Sequence, residues 1–247
     1  MSRRSAGSPS ETPAHSSGRV VSGRRGRRDA YQPKHRRSVG PRAQPPERAE
    51  PAPSRRRVET IESGLKSAGE DFRQERFEDA RRTLRPLAER SPGVPAVREL
   101  YGLTLYRLGR WKLAARELEA FRSLTGSVDQ HPVLADCYRA LRRYDRVQEL
   151  WRELRATTPA AALVTEGRIV VAGALADQGQ LGDAIAFLSR SVRPVRRAKE
   201  HQLRATYALG DLYERAGDLP RARELFQRVA ERDPTFVDVD IRLRALR

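Results

Sequence analysis

A small apolar residue recurs at nearly constant intervals in the sequence of the C-terminal three quarters of this chain. Ala80, Ala114, Val147, Ala184 and Ala222 follow one another at spacings of 34, 33, 37 and 38 residues. Around each of them, apolar residues recur three and four positions apart, which is the period of an α-helix, and almost nothing alternates with the period of a strand. A repeat of this length predicts a stack of similar helical units, because one such unit cannot bury its apolar face alone.

The periodicity predicts five helix pairs followed by a capping helix. Phe236, Val239, Leu243 and Leu246 form the apolar stripe of that last helix. We place the pairs near residues 58–92, 94–126, 128–159, 161–195 and 198–234, and the cap at residues 235–247.

Small residues are expected where the two helices of a pair cross, because they let the helices approach closely. Gly102, Ala135, Ala172 and Gly210 stand at these crossings, opposite the alanines of the second helices. The first pair is the exception, since its first helix carries Gly64, Ser67 and Asp71 where apolar residues are expected, and it is predicted to be an atypical N-terminal cap.

The last pair carries the most specific motif. It reads Thr206-x2-Leu209-Gly210-x2-Tyr213, then Ala222-x3-Phe226, then Pro234. This motif resembles that of the tetratricopeptide-repeat family. The resemblance covers about residues 58–247 and implies an all-α, right-handed solenoid of about five antiparallel helix pairs. Members usually bind an extended peptide or a helix in a concave groove lined by the first helix of each pair. One family variant clamps a C-terminal carboxylate with Asn side chains, and this chain contains no Asn.

The groove is predicted on the faces of the first helices that lie outside the apolar seam. Those faces carry aromatic and charged side chains, and Arg side chains there can pair with the carboxylates of an acidic or C-terminal segment. The candidate groove residues are Phe72, Arg73, Glu99, Tyr106, Arg107, Asp136, Arg139, Tyr207, Asp211 and Arg215. The alternative is that these are solvated positions and surface ion pairs with no partner to bind.

Residues 1–57 differ from the rest in composition and charge. They hold 15 of the 49 Lys+Arg, only 4 of the 32 Asp+Glu, eight of the 16 Pro and one aromatic residue, Tyr31. Such a segment cannot bury enough apolar surface to offset the entropy lost on ordering, so we predict a disordered basic arm.

The basic clusters of the arm resemble arginine-rich segments that bind RNA. The candidate nucleic-acid-binding residues are Arg24, Arg25, Arg27, Arg28, Lys34, Arg36, Arg37, Arg55, Arg56 and Arg57. The alternative is a solubilising leader, or the codon bias of a GC-rich genome, because 45 of the 49 basic residues are Arg.

The sequence offers no catalytic or metal-binding constellation. No two His or Cys have metal-ligand spacing, and the glycines at residues 23–28 lack the Lys-Ser/Thr of a phosphate-binding loop. We therefore predict a protein that is not an enzyme and needs no cofactor or metal. Trp111 and Trp151 are predicted to pack in the core, and Cys137 to be a structural thiol.

Taken together, these features predict a cytoplasmic scaffold that binds a protein or peptide partner in its groove, with an arm that tethers the complex to nucleic acid. One alternative is an RNA- or ribosome-associated protein in which arm and solenoid act together. Another is a regulatory subunit that self-associates through its first pair. No apolar run approaches the roughly 18 residues of a membrane span, so integral membrane association is not expected.

Overall fold

The computed structural model of the protein describes residues 54–157, 159–193 and 197–246. Within these ranges it contains eleven α-helices and no β-strand, which confirms the all-α prediction. In chain order the helices are α1 (Arg55–Arg73), α2 (Phe77–Arg90), α3 (Pro95–Arg107), α4 (Trp111–Thr125), α5 (His131–Ala140), α6 (Tyr144–Ala156), α7 (Ala161–Asp177), α8 (Leu181–Ser189), α9 (Glu200–Arg215), α10 (Leu219–Ala230) and α11 (Val239–Ala245). Residues 1–53, nearly all of the predicted arm, lie outside the described residues.

The first ten helices form five pairs, each joined by a turn of three residues. The middle residue of every turn has a positive φ, between 58° and 79°. Three of these residues are glycines, which favour this conformation, while Glu75 and Arg142 adopt it in the first and third pairs. In each turn the next residue donates its backbone N–H to the carbonyl five positions earlier, as Arg110 does to Leu105 at 2.9 Å. All five turns are therefore the same helix-terminating motif, the Schellman motif.

Each helix packs closely only within its own pair and against the neighbouring pairs. The first helices α1, α3, α5, α7 and α9 contact one another in an unbroken row. The second helices of the described pairs instead pack on the first helices before and after them. The stack is therefore tighter on the first-helix side, which makes that side its inner surface.

The repeating alanine position lies at the centre of every pair. Ala80, Ala114, Val147, Ala184 and Ala222 have no solvent exposure at all. The residue twelve positions earlier in each pair is also buried, and it is always small. These facing residues are Ala68, Gly102, Ala135, Ala172 and Gly210.

Two of the facing residues have no room for a side chain. A Cβ atom on Gly102 would lie 2.7 Å from Cδ2 of Leu118, and one on Gly210 would lie 2.8 Å from Cε1 of Phe226. Both Leu118 and Phe226 are buried, so they cannot move away without disturbing the core. The predicted role of small residues at the crossings is confirmed.

The first pair is not atypical at its crossing, contrary to the prediction. Ala68 lies there and is fully buried, whereas Ser67 points outward and is exposed. Gly64, one turn earlier, faces Leu87 so closely that a Cβ atom would lie 2.6 Å from Cδ1 of Leu87. The prediction was wrong because it read Gly64 as a missing apolar residue, when a small residue is what this contact requires.

The first helix begins at Arg55, so its first three residues lie within the predicted arm, which was expected to end at residue 57. Arg55, Arg56 and Arg57, which we predicted as nucleic-acid-binding residues of the arm, therefore form the first turn of α1. Arg55 forms a solvent-exposed ion pair with Glu59 (3.1 Å), and Arg57 donates a hydrogen bond to the backbone carbonyl of Arg90 (2.6 Å). No proline lies between Pro53 and Pro86, so none interrupts α1.

The final helix packs on the fifth pair as a cap, although it is shorter than expected. It begins at Val239, because residues 235–238 form turns in which Val237 has a φ of 53°. Val239 is fully buried with Phe226 and Val229, and the remaining apolar residues of the predicted stripe pack around this cluster.

Two further core predictions are confirmed. Trp151 is 7% exposed and Cys137 is fully buried, while Trp111 is partly buried against the same core. Burial, with a smaller effect from the carboxylate of Asp136, raises the pKa of the Cys137 thiol to about 12.

We predict that Gly210→Ala lowers the free energy of unfolding by about 1–3 kcal/mol, because the added methyl group overpacks the contact with Phe226. Urea unfolding followed by circular dichroism measures the change. Gly69→Ala in α1 is the matched control, since a Cβ atom there meets nothing within 4 Å. It should stabilise the protein by up to about 1 kcal/mol through helix propensity alone. Equal destabilisation by both variants would contradict the packing argument.

Candidate functional site

The inner surface carries a groove of about 610 Å3, formed by α5, α7 and α9. Its floor is apolar and includes Val133, Ile169, Val170 and Ala208, none of which is fully buried. Tyr106 of α3 closes one end of it. The groove is therefore long enough to cross three first helices, and its apolar floor is partly open to solvent.

Six of the ten predicted groove residues line this groove. They are Tyr106, Asp136, Arg139, Tyr207, Asp211 and Arg215. All six lie on first helices. Tyr106 and Tyr207 also pack against an aromatic ring of the second helix of the same pair, with ring centroids 5.3 Å apart in both cases. The structure thus brings these six together on one surface, which runs from the end of α3 to α9.

The other four predicted residues do not line the groove. Phe72 packs edge-on against Phe77, with ring centroids 5.3 Å apart. The guanidinium of Arg107 lies 4.4 Å from the centroid of the Phe77 ring. Glu99 accepts a hydrogen bond from Gln130 (2.8 Å). Arg73 pairs with Glu70. All four belong to α1 or α3, whereas the groove begins at the end of α3 and continues toward the C-terminus.

The sequence reasoning missed the contribution of α7 altogether. This helix supplies Leu163, Glu166, Ile169 and Val170 to the groove. A signal was present, because residues 169–171 are three consecutive large apolar residues. They cannot all face the second helix of the pair, so some of them had to face another surface.

A row of hydrogen bonds and ion pairs connects four first helices along the groove. Tyr106 donates to Oδ2 of Asp136 (2.7 Å), and Nε of Arg139 donates to Oδ1 of the same carboxylate (2.7 Å). Nη1 of Arg139 then reaches Oδ2 of Asp177 (2.9 Å), and Asp177 also pairs with Arg215 (3.7 Å). We call these five residues the polar row. It runs across α3, α5, α7 and α9 and fixes their mutual positions.

The charges of the polar row stabilise one another. Burial alone would lower the pKa of Arg139, but Asp136 and Asp177 outweigh it, so the pKa is raised. Burial, followed by the charge of Asp136, raises the pKa of the Tyr106 hydroxyl. Arg139 therefore remains charged and Tyr106 remains a hydrogen-bond donor throughout the physiological range. The Arg139 side chain lies close over Gly173, where a Cβ atom would approach Nη1 to 3.3 Å.

At the C-terminal end of the groove, Arg242 of α11 binds the carboxylates of α9. It donates to Asp211 (3.0 Å) and Glu214 (2.6 Å), and it also pairs with Asp238 (3.3 Å). Tyr207 donates to Asp238, and burial together with this hydrogen bond raises the pKa of the Tyr207 hydroxyl to about 12. Two predicted groove residues, Tyr207 and Asp211, therefore also hold the capping helix in place.

The wall between α7 and α9 carries a further ion pair. Arg204 binds Glu166 at 2.8 Å and lies 3.9 Å from Glu200. Burial is the main cause that raises the pKa of Glu166. The charge of Arg204 lowers this pKa and the charge of Glu200 raises it, and the net effect is an increase. The groove thus has an apolar floor between walls whose charges are largely paired.

The described residues contain no group of three or more His, Cys, Asp or Glu side chains that could hold a metal ion. No helix in the described ranges is both long and apolar enough to cross a membrane.

Two family models match the chain, both described as tetratricopeptide repeat, at residues 66–124 and 160–235. Together they cover more than half of the 247 residues. No curated protein matches the chain in sequence.

Several solved structures share the fold. A thermophilic tetratricopeptide-repeat protein from Thermus thermophilus is 18% identical with a TM-score of 0.60, and the match covers 75% of this chain and 98% of that one. PilF from Pseudomonas aeruginosa is 12% identical with a TM-score of 0.55, covering 77% and 90%. MamA from Desulfovibrio magneticus RS-1 is 18% identical with a TM-score of 0.53, covering 72% and 97%. At these identities the likeness concerns the fold alone.

We predict that Tyr106 and Asp136 are energetically coupled, because their hydrogen bond is partly buried and involves a carboxylate. A double-mutant cycle with Tyr106→Phe and Asp136→Asn should give a coupling free energy of about 1–2 kcal/mol. The solvent-exposed ion pair between Arg55 and Glu59 is the control, and it should show no measurable coupling. Additive effects of Tyr106→Phe and Asp136→Asn would mean that the polar row does not join α3 to α5.

Proposed function

Since the chain belongs to the tetratricopeptide-repeat family, whose fold generally serves protein–protein interaction, we propose that it is a non-enzymatic scaffold that binds a protein partner in the groove of α5, α7 and α9. The observation that carries the proposal is the apolar floor of this groove, which is partly exposed while the charged groups around it are already paired. Such a surface gains free energy by covering its apolar area and loses little by desolvating its charges.

The form of the groove favours an extended or helical segment with apolar side chains as the ligand. The groove crosses three parallel first helices, so a segment lying along it meets Val133, Val170 and Ala208 in turn. The polar row holds these helices at fixed distances, which lowers the entropy lost on binding. Arg204 and Arg215 are exposed on the rim, and the N–H donors that their pairing with Glu166 and Asp177 leaves over supply the contacts to carboxylates of the partner.

The proposal gives the arm a separate role, tethering the complex to nucleic acid in the cytoplasm. Its support is the composition of residues 1–57, with 15 basic and 4 acidic residues. Because Arg55–Arg57 belong to α1, the arm keeps seven of the ten predicted residues. Seven phosphate contacts would give a slope of about −5 for the logarithm of affinity against the logarithm of salt concentration on a single strand.

We predict that Ala208→Arg abolishes capture of the protein partner, because the long side chain fills the groove between α7 and α9. The measurement is affinity purification of the full chain followed by mass spectrometry, with and without nuclease. Ala162→Arg is the matched control, since Ala162 is an exposed alanine of α7 that does not line the groove. Proteins that are recovered with the wild type and with Ala162→Arg, but lost with Ala208→Arg, are the groove partners, and nuclease should not release them.

The opposite pattern would support the alternative, an RNA- or ribosome-associated protein. In that case nuclease releases the recovered proteins, and replacing Arg24, Arg25, Arg27 and Arg28 by Gln abolishes recovery. Ala208→Arg would then behave like Ala162→Arg. This outcome would contradict the groove as the main binding surface.

A further inference from the structure

A second and larger cleft, of about 790 Å3, lies on the outer surface between α2 and α4. It exists because these two second helices pack on α3 and not closely on each other. Residues of α3 form its base, among them Tyr101 and Leu105. This cleft is on the opposite side of the helix pairs from the groove, and neither the family resemblance nor the proposed function uses it.

Five arginines line this outer cleft, against two glutamates. The groove on the inner surface is different, since four carboxylates and three arginines line it. In the outer cleft, Arg81 pairs with Glu78 and Arg85 with Glu89. Arg110 has no ion-pair partner among the described residues. The outer cleft therefore carries an excess of positive charge that the surrounding side chains do not neutralise.

A single buried carboxylate positions two of these arginines. Glu117 is 1% exposed and pairs with Arg98, while Arg116 donates to its Oε1 from Nε (3.0 Å) and Nη2 (2.8 Å). Arg98 also donates to the backbone carbonyl of Pro92 (2.9 Å). One negative charge thus holds two guanidinium groups in place and compensates only one of them. Their remaining N–H donors are fixed before any ligand arrives.

The hydroxyl of Tyr101 is an unused donor at the base of the cleft. Tyr101 is only 6% exposed, and its hydroxyl has no hydrogen-bond partner among the described residues. The described part of the chain contains no fully buried side-chain oxygen or nitrogen without a partner, so this hydroxyl must be open to the cleft. Burial, followed by the charge of Glu117, raises the pKa of this hydroxyl, while the charges of Arg81, Arg85 and Arg116 act in the opposite direction.

We propose that the outer cleft binds a small organic polyphosphate, such as a nucleoside diphosphate, with its phosphates between the arginines and the Tyr101 hydroxyl. Arginine forks match phosphate oxygens, and several fixed donors converging on one place suit a multiply charged anion. Leu113, which is 42% exposed, supplies an apolar wall for the organic part of the ligand. The volume of the cleft lies within the range of small-molecule sites.

Isothermal titration of the full-length protein with inorganic pyrophosphate, and separately with ADP, tests this proposal. We expect saturable binding of one molecule per chain, with ADP the tighter ligand because of the apolar wall. Arg81→Gln combined with Arg85→Gln should weaken both affinities at least tenfold, and Tyr101→Phe should weaken them about fivefold. Arg81 and Arg85 pair only with exposed carboxylates, so the fold should tolerate their loss, and circular dichroism verifies this.

Arg223→Gln combined with Arg232→Gln is the charge-matched control, since it removes two exposed arginines at the other end of the stack. This control should change neither affinity by more than twofold. Absence of saturable binding would overturn the proposal. Equal loss of affinity in the control and the cleft variants would also overturn it, because that result would assign the binding to net charge or to the arm. Tight binding of a single-stranded RNA oligonucleotide that depends on Tyr101 and is not displaced by ADP would also overturn it. Ala208→Arg leaves the outer cleft intact, so this test is independent of partner capture.

Discussion

Close contact between a small residue of one helix and the helix that crosses it determines the geometry of each pair. Gly210 against Phe226 and Gly102 against Leu118 leave no space for a single additional carbon atom. The same crossing occurs five times with the same Schellman turn, so the five pairs share one crossing geometry although their helices differ in length. Each pair covers the apolar face of the next. Two of the turns hold Glu75 and Arg142 at positive φ, at a cost in backbone strain.

The regular stack produces two different surfaces from one pattern. On the inner side the first helices touch, and the polar row from Tyr106 to Arg215 neutralises the charges that would otherwise face one another. On the outer side α2 and α4 stand apart, and their arginines outnumber the nearby carboxylates. The inner groove is therefore suited to an apolar protein segment, and the outer cleft to an anion. Both surfaces follow from how the helices are spaced, and neither requires a specialised loop.

Much of this architecture could be predicted from the sequence, because the packing contacts repeat. The alanine position, the final capping helix and the surface carrying Asp136, Arg139 and Asp211 all follow from helical periodicity. The interactions between neighbouring pairs could not be predicted in the same way. Asp177 contacts Arg139 across 38 residues, and nothing in the local pattern of either helix indicates that contact. The outer cleft was also missed, because the free hydroxyl of Tyr101 becomes visible only when α2 and α4 are placed.

Every helix pair of the stack is supported only by its immediate neighbours. Native-state hydrogen exchange, followed by mass spectrometry, tests it most directly when one end of the stack is weakened. Leu84→Ala creates a cavity in the first pair, since Leu84 is fully buried there. The account predicts faster exchange in α1–α3 and unchanged protection in α9–α11. A uniform loss of protection along the whole chain would contradict it, because it would show that distant pairs share one core.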